Sequence, residues 1–130
     1  MIGIVIVAHG GLAREYLAAV EHVVGHQRGM RAISIEPDDD RASKQDEICR
    51  AADEVDTGDG VVVVTDMFGG SPSNLSICAC VPSDRRILYG ANLPMLIKLA
   101  KSRRLSVGEA TASALAAGRK YIDSFDAGGF

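Results

Sequence analysis

Residues Met1–Gly11 read MIGIVIVAHGG, and six of the first seven are apolar, with Gly3 the one interruption. The run then ends in a small residue, a titratable ring and two glycines. Ile2–Ala8 is short, rich in β-branched residues and nearly continuous in its apolarity. That is the pattern of a strand buried on both faces, as in a parallel sheet covered by helices. Val61–Thr65 (VVVVT) has the same character, and weaker strand patterns lie at Ala32–Glu36 and Arg86–Tyr89.

Helical patterns fill the intervals. Leu12, Tyr16, Val20, Val23 and Val24 recur at helical spacing, with Gly25 placed to stop that helix. Ser43 with Asp46 resembles a capping box ahead of Ile48, Ala52 and Val55. Ser71-Pro72 reads as an N-cap and first helical position, opening a helix that runs to about Cys80. Asn92 can cap a further helix, with Pro94 in its first turn. Ser106 with Glu109 opens an Ala-rich helix that Gly118 is placed to close. The order β-α-β-α-β-α-β-α-α predicts a doubly wound α/β fold. Its sheet is mainly parallel and four-stranded, with helices on both faces. In such sheets ligands bind beyond the carboxyl ends of the strands, where His9 and Asp66 fall.

Composition narrows the function classes. The 130 residues suit one domain over residues 1–130. Net charge is −3 with both signs interspersed, so no basic stripe points to nucleic acid. No apolar run approaches the roughly 18 residues of a membrane span, and the start lacks the basic region and cleavage site of a signal peptide. Cys49, Cys78 and Cys80 lack metal-ligand spacing and read as reduced residues of a cytoplasmic protein. His22 and His26 have no companion carboxylate-histidine set for zinc, and "PDDDR" (Pro37–Arg41) reads as a solvated turn. Walker and G-x-G-x-x-G patterns are absent, and "GGSPS" around Ser71 does not match a nucleophile elbow. No metal or cofactor is implied.

The constellation that remains is His9-Gly10-Gly11 with Asp66-Met67-Phe68-Gly69-Gly70-Ser71-Pro72-Ser73-Asn74. A carboxylate at a buried strand's end is costly unless paired, and the His9 ring is the obvious partner. Such a carboxylate fixes the imidazole tautomer and presents the other nitrogen's lone pair. Backbone N–H groups at the helix start near Ser71 and Ser73 favour an anion. Taken alone, the spacing leaves open whether Asp66 is only a turn residue and Ser71 only a cap.

"IVIVAHGGLA", "VVVVTDMFGGSPSNLS" and "GANLPMLIKL" resemble three signatures of the mannose-family IIA component of the bacterial phosphoenolpyruvate-dependent sugar phosphotransferase system. The resemblance runs nearly the whole chain, in order. It implies a cytoplasmic phosphotransferase that accepts a phosphoryl group from the phosphocarrier HPr on His9 Nε2 and passes it to a IIB component. Asp66 then matches the carboxylate paired with the ring, and Ser71 a serine contacting the phosphoryl group. Gly10, Gly11, Phe68, Gly69 and Gly70 form the loops that meet the partner. The family often has tryptophan where this chain has Phe68. The resemblance also implies a homodimer in which the chain end adds a fifth, antiparallel strand to the partner's sheet. The segment "RKYIDSF" after Gly118 suits that strand and equally suits a continued helix. Transport members are often fused to a IIB domain, so a separate IIB partner is expected here, or a regulatory role in which His9 reports phosphotransferase flux. The phosphotransfer subunit of dihydroxyacetone kinase, whose leading domain is similar, is the other alternative.

Overall fold

The structure is a computed structural model and describes residues 1–67, 70–82 and 84–129. Strands β1 (Gly3–His9), β2 (Met30–Ile35), β3 (Val61–Thr65) and β4 (Arg85–Leu88) form one parallel sheet in the order β2-β1-β3-β4. The chain leaves β1 toward β2 on one side and crosses back to β3 on the other. The carboxyl end of β1 is therefore the point where strand order reverses, and there a crevice opens.

Burial follows the period of two. Ile4, Ile6, Ala8, Val62 and Val64 face one layer, packed by α1 (Leu12–Val24), α4 (Leu93–Lys101) and α5 (Val107–Lys120). Val5, Val7, Val61 and Val63 face the other, packed by α2 (Arg41–Val55), the short α3 (Ser71–Ser76) and the 3-10 turn Cys78–Cys80. Every residue of β1 except His9 is buried, and so is every residue of β3. Each fully buried Ile or Val contributes about 1.5–3 kcal/mol relative to exposure, so the two central strands form the rigid platform of the molecule.

Local chemistry explains the ends, with some corrections. Gly25 ends α1 with φ 89°, as its position suggests. Asn92 caps α4 by accepting the Met95 N–H at 3.0 Å, and Ser106 caps α5 by accepting the Glu109 N–H at 3.2 Å. Ser43 is not a cap: Asp40 is, and its Oδ2 takes both the Ser43 N–H at 3.0 Å and the Ser43 hydroxyl at 2.7 Å. The end of "PDDDR" is thus the start of α2 rather than only a solvated turn. Gly70, not Ser71, caps α3, which lasts six residues before the 3-10 turn takes over. Gly118 does not close α5. It lies inside the helix, where its carbonyl accepts the Asn92 side-chain N–H at 2.9 Å, and α5 runs on to Lys120. Beyond Lys120 the helix stops, and residues 121–126 run exposed and outside any strand or helix.

The amino end of the sheet is fastened by two arginines. Arg103, 6% exposed, donates from Nε to the Ile2 carbonyl at 2.9 Å, from Nη2 to Gly29 at 2.9 Å and from Nη1 to Arg28. Arg85 holds Asp53 at 2.8 Å, Asp56 at 3.0 Å and the Ala79 carbonyl at 3.0 Å, tying β4 to α2 and the 3-10 turn.

Candidate functional site

At the opposite end, β1 delivers His9 to the surface. Gly10 turns the chain with φ 56°, a left-handed conformation that costs glycine little. Its N–H donates to the Ile35 carbonyl at 2.9 Å, so the turn is anchored on β2. Beside it, β3 delivers Asp66.

The two side chains meet. His9 Nδ1 lies 2.8 Å from Asp66 Oδ2, and the His9 backbone N–H donates to the same oxygen at 3.0 Å. Oδ1 accepts the Met67 N–H at 3.0 Å. A carboxylate can only accept, so in the neutral ring Nδ1 carries the proton and Nε2 carries the lone pair. The His9 side chain is 50% exposed and that of Asp66 is 12% exposed: the orienting group is enclosed while the ring reaches solvent. Burial alone raises the Asp66 pKa. Hydrogen bonds from the His9 backbone and ring, the charge of His9 and the Met67 N–H outweigh it, leaving the carboxyl below its ordinary value.

Gly70 stands over the ring. A Cβ there would lie 3.3 Å from His9 Cε1 and 3.6 Å from Nε2, so a side chain at this position would press on the nucleophilic edge. Gly11 is exposed with open space around it, which keeps the other side of the rim low. Phe68 and Gly69 lie outside the described residues. Ser71 is half-buried and lines, with His9, Gly10, Ile35, Glu36, Pro37, Asp39, Arg41 and Leu75, a cavity of about 590 Å³.

Two residues beside the site were not visible as such in the sequence. Tyr16 on α1 donates its hydroxyl to the Ala91 carbonyl at 3.0 Å, bridging 75 residues. Burial, then the charge of Asp66, raises its pKa, so it stays a neutral donor beside the carboxylate. Arg41 enters the cavity from the start of α2. Two of the three cysteines are poor nucleophiles: burial pushes the Cys80 thiol up to about 11 and raises that of Cys49. What remains is an imidazole with one nitrogen held by Asp66 and the other without a hydrogen bond among the described residues, at an open rim beside that cavity. Such a ring can take up an electrophilic group from another macromolecule and give it away again.

Comparisons with known proteins identify the family. A family model described as "PTS system fructose IIA component" (EIIA-man) matches residues 3–116. The chain is 29% identical over 129 residues to the PTS system mannose-specific EIIAB component of Escherichia coli K12, covering 97% of this chain and 40% of that protein. It therefore spans about two-fifths of the length of those EIIAB relatives. It is 28% identical over 108 residues to the PTS system sorbose-specific EIIA component of Lacticaseibacillus casei, covering 82% of this chain and 78% of that one. Among solved structures, the phosphotransferase system component EIIA of Streptococcus agalactiae superposes with a TM-score of 0.86 at 27% identity, covering 96% of this chain and 98% of that one. The mannose/sorbose specific IIA subunit from Enterococcus faecalis superposes with a TM-score of 0.85 at 26% identity, covering 96% and 95%. No helix among the described residues is long and apolar enough to cross a membrane.

Proposed function

The chain belongs to the mannose-family IIA components of the sugar phosphotransferase system, and from that premise we propose that it is a cytoplasmic phosphocarrier whose His9 accepts a phosphoryl group from phospho-HPr and passes it to a IIB component. The observation that carries the reading is the ring itself: Nδ1 held by Asp66 at 2.8 Å and half of the side chain open to a visitor.

The chemistry follows from that placement. HPr docks over the rim formed by the His9 and Asp66 loops and brings its phosphohistidine in line with Nε2. The Nε2 lone pair forms the new N–P bond as the donor's N–P bond breaks, and the donor ring keeps that electron pair. Asp66 stabilises the positive charge that develops on the His9 ring. The loose transition state spreads negative charge over three equatorial oxygens. Ser71 offers its hydroxyl and backbone N–H to that charge, whereas Pro72 has no N–H to give. Phosphohistidine is already an energised donor, so neither nucleotide nor metal is needed to drive the exchange. Gly10, Gly11 and Gly70 keep the rim low enough for two rings to approach. Discharge to the IIB component is the same step reversed.

The same reading includes a homodimer. Tyr121, Ile122 and Phe125 are 64%, 73% and 72% exposed beyond α5, while β4 has a strand neighbour on one side only among the described residues. An extended tail laid on a partner's β4 edge would cover both.

Incubation with labelled phospho-HPr tests the proposal. The chain should gain one acid-labile, base-stable phosphate and elute at twice the chain mass, and His9→Ala should gain none. Equal labelling of His9→Ala would move the acceptor elsewhere, and a single-chain mass would remove the dimer.

A further inference from the structure

Helix α2 breaks a rule that most helices keep. Its first turn contains no carboxylate and begins with Arg41, a cation at the positive end of the helix dipole. Residues that break a local rule without a structural return are where function is expected. Lys44, in the same turn, has such a return: Glu47 lies at 3.1 Å and Asp39 at 3.8 Å. Arg41 has none. It is exposed, and its guanidinium makes no hydrogen bond or ion pair among the described residues. It does line the same cavity as His9 and Ser71, as the one lysine or arginine among the described residues there.

That cavity has a charge problem which Arg41 can solve. Asp66 sits below its ordinary carboxyl pKa and so is ionised next to the ring, and Glu36 and Asp39 line the cavity too. A phosphoryl group arriving on Nε2 brings up to two further negative charges among them. Ser71 can donate a hydrogen bond but cannot neutralise charge. A guanidinium can do both, through paired donors that match phosphoryl oxygens.

We propose that Arg41 is a further catalytic residue: its guanidinium contacts the phosphoryl oxygens on His9 Nε2, stabilising the transferring group and the phosphorylated form. The inference rests on His9 being the phosphoryl acceptor, and it names the residue that would hold the group's charge. Asp39 is held in place by the Glu36 N–H at 2.6 Å and faces Lys44, which leaves Arg41 free to turn toward the ring.

The test separates this role from the donor's identity. Phosphoramidate, a small-molecule donor, can charge His9 directly: Nε2 bonds to phosphorus, the P–N bond of the reagent breaks, and ammonia leaves with the electron pair and a proton. Phosphorus NMR then follows the titration of the phosphoryl group on His9. Arg41→Gln should raise that group's pKa by roughly half a unit or more, because a contacting cation favours the doubly charged form. Glu36→Gln should move it the other way, and Arg41→Gln added to Glu36→Gln should still raise it; no rise in that double variant would mean that Arg41 acts only by neutralising Glu36, which overturns the assignment. With phospho-HPr, Arg41→Gln should slow charging roughly tenfold to a hundredfold, and Arg41→Lys should recover part of it. A wild-type titration curve in Arg41→Gln overturns the assignment while leaving His9 as acceptor. Failure of both donors to label the chain overturns the phosphocarrier reading and Arg41's role with it.

Discussion

The two ends of the sheet hold charged groups in opposite ways. At the amino end Arg103 is 6% exposed and places its guanidinium on three backbone carbonyls, those of Ile2, Arg28 and Gly29. At the carboxyl end His9 uses one ring nitrogen and presents the other, with half of its side chain in solvent. The first is a polar group paired with backbone acceptors, and that pairing is what lets it stay buried. The second is left with an unused lone pair next to a carboxylate that keeps the ring in a fixed orientation. A structural polar group and a chemical one are told apart here by what is left over once internal bonds are made.

That contrast breaks most sharply by exchanging deletions. Arg103→Ala removes bonds to three carbonyls at once and should cost roughly 2–4 kcal/mol of unfolding free energy in a urea titration, with the charging rate of the folded fraction unchanged. His9→Ala should do the reverse, abolishing charging while moving stability by no more than about 1 kcal/mol, because Asp66 keeps the backbone N–H groups of His9 and Met67. A His9→Ala variant as unstable as Arg103→Ala would mean that the rim is a structural clasp after all.

Asp66 lies between the extremes, since it is enclosed like Arg103 yet serves the ring. Asp66→Ala should slow transfer from phospho-HPr by roughly tenfold to a thousandfold, the range of a positioned acid–base partner. An unchanged rate would reduce Asp66 to a turn residue that happens to touch His9.

The same contrast explains what could be read in advance. The central strands were legible because Ile4–Ala8 and Val61–Val64 are apolar on both faces, and a two-sided core needs that. His9 and Asp66 were legible because titratable residues directly follow those strands. The capping of α2 was not: Asp38, Asp39, Asp40 and Ser43 can all cap, and only the backbone path selects Asp40. Gly118 looked like a stop because glycine near a helix end often is one. Here its carbonyl is held by Asn92, 26 residues away in sequence, and α5 continues past it. Tyr16 and Arg41 enter the site through tertiary adjacency, which no local pattern encodes.

The mildest test compares two carboxylates, Asp66 at the rim and Asp56 at the amino end. Both sit below their ordinary value of 3.8. For Asp56 the Gly58 N–H is the main cause, working against burial and aided by Arg85. For Asp66 burial is the largest influence and opposes the shift, and the bonds from His9 and Met67 overcome it. A carboxyl lowered in the folded state contributes stability that is full above its unfolded pKa and is lost as pH falls through the folded one. Stability measured below about pH 4 should therefore decline with pH, each group adding at most about 1.4 kcal/mol per pH unit to the slope. Asp56→Ala and Asp66→Ala should each flatten that limb. His9→Ala should lie between wild type and Asp66→Ala, because it removes the ring and spares the backbone N–H groups. If His9→Ala instead matches Asp66→Ala, the ring alone sets the carboxylate's acidity. The rim would then depend on the very group that it presents to its partner.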